Sequence, residues 1–197
     1  MIEIIEDCSP FYIRFRHPGI DDIIALYSSF LPNTDSLKNS FSHLMLPSNQ
    51  AKQILDLCPL SQHVLLNQNR VSGFVSKPGL YYRAHKDGLD HRFSINYTAR
   101  VLDNKCITSW YSDQDLKDYA IDNLGGYSRE CIDFDKSKHI PIKQMIANQS
   151  EGILFNTDIF HDWDNTKSSN ERVVLTLRAT DSGNIYFDDI KQLLYKI

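Results

Sequence analysis

The strongest constraint on this chain's fold is a series of short apolar stretches that begins near residue 63. "HVLLNQ" (63–68), "RVSGFVS" (70–76), "LYYRAHKD" (80–87), "RFSINYTARVL" (92–102) and "KCITSWY" (105–111) follow one another with turn residues between them. They are rich in β-branched and aromatic residues, and their length suits strands better than helices. "SDQDLKDYAIDNLGG" (112–126) interrupts the series and reads as a helix stopped by its glycine pair. "GILFNTDIFHDWDN" (152–165) and "ERVVLTLRAT" (171–180) restore the strand pattern, and "NIYFDDIKQLLYKI" (184–197) closes the chain as a strand or short helix. Ahead of the series, "IDDIIALYSSFL" (20–31) and "SNQAKQILDLC" (48–58) have helical spacing. Aspartates open the first, and Ser48 is placed to cap the second. Helices followed by many closely spaced strands predict a mainly β fold, a jelly roll with helical support. We expect one domain over 1–197, with mixed or helical support in 1–62 and the jelly-roll core in 63–180.

Composition narrows the function classes. The formal charge is −4 and no lysine- or arginine-rich block exists, so binding to duplex nucleic acid is not expected. No apolar run reaches membrane-spanning length, and no membrane partner is expected. Cys8, Cys58, Cys106 and Cys131 form no CxxC pair, which argues against a zinc knuckle or redox dithiol. The acidic start "MIEIIEDCSP" does not read as a signal peptide, so a reduced, cytoplasmic protein is the simplest expectation. Oligomeric state is not legible.

Strand parity picks out the chemistry. Strict alternation puts Tyr81, Arg83, His85 and Asp87 on one face, and Arg92, Ser94 and Asn96 on one face of the next strand. In the last long strand Arg172, Val174, Thr176 and Arg178 share a face, while Val173, Leu175 and Leu177 read as core. Half-buried arginines need an anion. His85-x-Asp87 alone is weak: with 7 His and about a tenth of the residues Asp, roughly 0.7 such triplets arise by chance. The order His-x-Asp, a long gap, His161, then Arg172 eleven residues on says more. Two histidines and a carboxylate can hold Fe(II) on one face and leave positions open for a chelating 2-oxo acid and dioxygen. An arginine fork suits the oxo acid's far carboxylate.

On "YRAHKDG", "RFSINY", "GILFNTDIFHDWDN" and "ERVVLTLR", over about residues 70–180, the chain resembles the Fe(II)/2-oxoglutarate-dependent dioxygenase superfamily. It looks most like the small branch of aspartyl/asparaginyl hydroxylase-like domains, prolyl hydroxylase-like proteins and compact oxygenases. The resemblance implies a double-stranded β-helix. It implies His85, Asp87 and His161 as Fe(II) ligands, Arg172 with Asn96 or Ser94 for 2-oxoglutarate, and dioxygen as co-reactant. It implies hydroxylation of a C–H bond in a small molecule or a peptide side chain, with succinate and carbon dioxide as co-products. Tyr82 matches a tyrosine of prolyl hydroxylase-like members, although alternation turns it away from His85.

Other readings compete. "DIFHDWD" has the carboxylates of a calcium loop without EF-hand spacing. A cupin-like metal protein doing non-redox chemistry, or a jelly-roll binding module, would share the fold. Arg178, Arg92, Tyr82 and Trp110 are candidate substrate contacts, and the arginines lean toward a carboxylate- or phosphate-bearing molecule. The bland readings of these four are ion pairs and core packing. His17, His43, His63, His91 and His139 show no ligand spacing.

Overall fold

The computed structural model describes residues 1–37, 41–87, 92–103, 105–116, 121–124, 128–131, 134–179 and 185–197. Two antiparallel sheets face each other. The larger has seven strands in the order β1 (Glu3–Cys8), β2 (Tyr12–Arg16), β11 (Gly152–Phe155), β6 (Ser94–Arg100), β13 (Arg172–Leu177), β4 (Ser72–Ser76) and β3 (Phe41–Met45). The smaller has six: β10 (Lys143–Ile146), β7 (Ile107–Trp110), β12 (His161–Asp164), β5 (Tyr81–Asp87), β9 (Ser128–Cys131) and β8 (Ile121–Leu124). Apart from β1/β2, β3/β4 and β8/β9, neighbouring strands are not consecutive in sequence, as in a jelly roll.

Helices α1 (Ile20–Phe30), α2 (Ser48–Leu57) and α4 (Phe187–Leu194) cover the outer face of the larger sheet. Ile23, Tyr27, Ile54 and Ile190 pack there against Ile95, Tyr97, Val173, Leu175 and Leu177. The odd-numbered residues of β13 therefore face the helices, as alternation predicts, and the even-numbered ones face the second sheet. Tyr27 lies so close to β4 that a Cβ at Gly73 would sit 1.6 Å from its hydroxyl, so only glycine fits. Asp21 and Asp22 occupy the first turn of α1, where carboxylates suit the helix dipole.

Several local expectations are corrected. Ser48 does not cap α2; its hydroxyl donates to Asn69 instead, at 3.2 Å. "HVLLNQ" is not a strand: only Leu66 pairs, in a single bridge to Ala179. The stretch 112–126 is not one helix. Its described parts are a one-turn helix, α3 (Asp113–Leu116), and strand β8, and its glycine pair lies outside the described residues. The first 62 residues are more than support, because β1, β2 and β3 belong to the larger sheet. Two of these are edge strands, where no alternating buried face marks them in the sequence. The C-terminal stretch resolves as helix α4, whose first turn is capped by Asp189 accepting from the Tyr186 backbone N–H at 2.8 Å.

Candidate metal and cosubstrate site

His85 and Asp87 stand at the end of β5, and His161 opens β12 beside them. His161 pairs directly with His85 across the two strands, and the ring centroids are 4.3 Å apart. One ligand atom from each of His85, Asp87 and His161 lies within 4.8 Å of the others, and no other such metal-ligating group exists among the described residues. Ligand atoms about 2.1 Å from one ion lie about 3 Å apart at right angles. The trio is thus within about 2 Å of ligating geometry throughout.

The backbone fixes both imidazoles for this task. His85 Nδ1 is 3.0 Å from the Arg83 carbonyl and His161 Nδ1 is 2.8 Å from the Ile159 carbonyl. A carbonyl only accepts, so each Nδ1 carries a proton, and in the neutral ring Nε2 is then the nitrogen with the lone pair. Burial, reinforced by His85, pushes the His161 imidazole down to about 3, so it is neutral at ordinary pH. Asp87 presents Oδ1 to His85 Nε2 at 3.9 Å, while Oδ2 accepts from Arg178 at 2.9 Å. Its own N–H donates to the Thr157 carbonyl at 3.2 Å, which pins the strand end.

The trio opens on a cavity of about 190 Å³. Ser94, Asn96, Thr176 and Arg178 line it from the larger sheet, and Tyr82 and Trp163 from the smaller. Tyr82 faces the same way as His85, against strict alternation. The cause is a bulge: His161 and Trp163 are two apart, yet they pair with His85 and Tyr82, which are three apart. The extra residue in β5 turns Tyr82 back toward the site, where its ring meets His85 edge-on at 4.8 Å. Phe41, His43 and Phe74 complete the wall from β3 and β4. Sequence spacing gave no reason to choose His43; it stacks on Phe74 at 4.7 Å, and burial, then Arg178, hold it below its ordinary value.

Arg172 lies deeper between the sheets. From β13 its guanidinium crosses to the smaller sheet, donating to the Thr108 hydroxyl at a long 3.4 Å and lying 5.5 Å over the Trp163 ring. It is 5% exposed, its Nε has no partner, and no described carboxylate lies within ion-pair distance. Asn96 Oδ1 and Thr98 Oγ1, on the inward face of β6, are also buried and unpartnered. A buried cation with no described counter-charge beside idle hydrogen-bonding groups is costly unless a polar ligand meets them.

The remaining candidates sit elsewhere. Trp110 is fully buried in a separate cluster with Tyr12, Met145 and Phe155, and does not line the cavity. Arg92 faces Asp158 at 3.7 Å and covers the Tyr186 ring, outside the cavity wall. His91 lies outside the described residues. The calcium reading of "DIFHDWD" loses its oxygens. Asp162, fully buried, accepts from Tyr81 at 3.0 Å, Tyr111 at 2.7 Å and the Ser109 N–H at 3.1 Å. Asp164 is held by Lys136 and Thr166.

Comparison with solved structures agrees with this architecture. HygX from Streptomyces hygroscopicus, with nickel and 2-oxoglutarate bound, superposes with a TM-score of 0.54 at 7% identity, over 86% of this chain and 83% of that one. The epimerase SnoN, in complex with Fe3+, alpha ketoglutarate and nogalamycin RO, gives 0.52 at 9% identity, over 85% and 78%. This chain has the fold of the Fe/2-oxoglutarate-dependent enzymes. The double-stranded β-helix expected from the strand series is therefore the observed architecture. HygX has also been seen with nickel, 2-oxoglutarate and hygromycin B together, at a TM-score of 0.53, 8% identity and the same coverage. No family model and no curated protein matches the sequence. No helix among the described residues is long and apolar enough to cross a membrane.

Proposed function

We propose that this protein is an Fe(II)- and 2-oxoglutarate-dependent oxygenase that hydroxylates a C–H bond of a small molecule or peptide side chain. One observation carries the reading. Two imidazoles whose Nδ1 is taken by a backbone carbonyl and a carboxylate converge at one end of the barrel interior, and a buried arginine with no carboxylate partner among the described residues lies further inside. The residues fit the groups they would hold. His85, Asp87 and His161 offer the two-nitrogen, one-oxygen donor set of a ferrous site. Arg172 offers a buried cation for the far carboxylate of 2-oxoglutarate, with Ser94 and Asn96 as polar wall.

Bound together, Fe(II), 2-oxoglutarate and dioxygen would supply the oxidising power for hydroxylation, with succinate and carbon dioxide released. The chain's own contribution is placement. Arg83 and Ile159 carbonyls hold the imidazoles in their ligating tautomer. Arg178 takes Asp87 Oδ2 at 2.9 Å, which leaves Oδ1 on the side of His85 Nε2. Phe74, Tyr82 and Trp163 exclude water from the cavity wall. The unpaired state of the described cysteines Cys8, Cys58 and Cys106 supports a reducing compartment.

The test is anaerobic. Fe(II) and 2-oxoglutarate added to the protein should produce the visible charge-transfer band of the chelate, and His85→Ala should abolish it. Admitting air with a substrate should then release succinate. A wild-type protein that shows neither band nor 2-oxoglutarate turnover refutes the reading.

A further inference from the structure

We infer that the substrate is a monoanion, a carboxylate carried on a flat apolar body, with Arg178 as its anchor. The inference deepens the oxygenase reading and rests on it. Count the charges of the loaded site. The ferrous ion would bring two positive charges, and Arg178 on the cavity wall and Arg172, buried and not itself on that wall, one each; Asp87 and the 2-oxoglutarate dianion would bring three negative. His85 and His161 are neutral ligands. One positive charge is left over.

The surplus sits on Arg178. Without a metal, Arg178 and Asp87 neutralise each other at 2.9 Å. An ion held through Asp87 Oδ1 would leave Oδ2 on Arg178, and the guanidinium would sit with its remaining donors beside a site that is positive as a whole. Its side chain is 16% exposed, it lines the cavity, and its Nε has no partner. The nearby cations do not share its position, since Arg92 faces Asp158 and does not line the cavity. Asp87 is the only carboxylate on the described cavity wall, so a cationic substrate would find no counter-charge there. A guanidinium with donors to spare binds a carboxylate through paired N–H groups.

The rest of the wall sets the body of the molecule. Phe41, Phe74, Tyr82 and Trp163 pack on one another into a continuous aromatic wall of the cavity, with ring centroids 5.1 to 5.7 Å apart. Such a wall favours a planar apolar group over a polar or branched one.

The experiment uses the anaerobic, Fe(II)-loaded protein at saturating 2-oxoglutarate, with binding followed by calorimetry. The probes are 3-phenylpropanoate, 3-phenylpropanamide and 2-phenylethylammonium, which differ mainly in charge. The expected result is that the anion binds at least tenfold more tightly than the amide, and the ammonium not measurably. Arg178→Gln should bring anion and amide within about twofold of each other, compared at Fe(II) and 2-oxoglutarate concentrations that saturate the variant's own chelate band. Equal binding of anion and amide by the wild type overturns the inference, as does a preference that survives Arg178→Gln. A preference that fades as 2-oxoglutarate is raised puts the probe on Arg172 and also overturns it. A band that cannot be reached in Arg178→Gln at any concentration of Fe(II) and 2-oxoglutarate would assign this arginine to the metal and cosubstrate site and overturns the inference. Absence of the band in the wild type, seen before any probe is added, is the separate failure of the oxygenase reading and takes this inference with it.

Discussion

Arg172→Met should make the ligand-free protein more stable while it destroys cosubstrate binding. The guanidinium is 5% exposed and faces no described carboxylate. Taking a charge out of water costs several kcal/mol even after relaxation. Against that stand one long hydrogen bond to Thr108, worth about 1 kcal/mol, and a buried stack on Trp163, worth about 2 kcal/mol. The balance leaves roughly 1–2 kcal/mol to be gained by an apolar side chain of similar length. At about 2–4 °C per kcal/mol for a domain of this size, the melting temperature should rise by roughly 2–8 °C. Truncating one partner of a buried charge pair costs about 2–5 kcal/mol, so 2-oxoglutarate affinity should fall roughly 30- to 5,000-fold. Calorimetric melting without metal, beside an anaerobic titration of the Fe(II) form with 2-oxoglutarate, measures both. A variant less stable than wild type by 1 kcal/mol or more, or one that binds 2-oxoglutarate as before, would refute the reasoning. The first outcome would mean that the protein itself satisfies Arg172. The second would mean that the anion goes elsewhere.

Other outcomes follow from the same geometry. His161→Ala should lower the Fe(II) bound per protein molecule to near zero without unfolding the chain, checked by metal analysis beside circular dichroism. Asp162→Ala leaves Tyr81, Tyr111 and the Ser109 N–H without their shared acceptor and should cost about 3–5 kcal/mol in urea unfolding; a loss under 1 kcal/mol would count against that network. Burial alone would raise the Asp7 carboxyl, but hydrogen bonds from Ser9, Lys191 and Tyr195 outweigh it and hold the group well below the usual range. A depressed folded-state value stabilises above the ordinary value of 3.8, and that stability is lost as pH falls through the lower folded value. Asp7→Asn should therefore lower stability at pH 7 and flatten the acid limb of the stability profile below about pH 4, read by urea midpoints across pH. Gly73→Ala should destabilise by about 1–3 kcal/mol through its clash with Tyr27, measured by the same method.

Much was legible in the sequence because it is local. Runs such as 93–98 and 172–177 alternate, and burial of one face of a strand writes that period into the chain. His85 and Asp87 share one strand end, so their spacing carried information, and His161 and Arg172 followed in an order that made sense only together. The helices at 20–30 and 48–57 were visible for the same reason, at a period of 3.6. Strands β1 and β3 at the sheet edges were not, since an edge strand need not bury a full face.

What the tertiary structure alone decided is pairing. Tyr82 joined the site because of a bulge, and a bulge is a property of two strands in register, not of either sequence. Trp110 went to the core and Trp163 to the cavity, although both are tryptophans on strands of the same sheet. Phe41 and His43 reached the wall from a strand some forty residues before His85, and Arg178 reached Asp87 across ninety-one residues. The sequence by itself determined which residues have the chemistry of a metal and an anion site, because residue type and one-strand spacing are local. Which of them meet was decided by sheet register and the closing of two sheets over one interior, and contacts between distant segments leave no periodic trace in the chain.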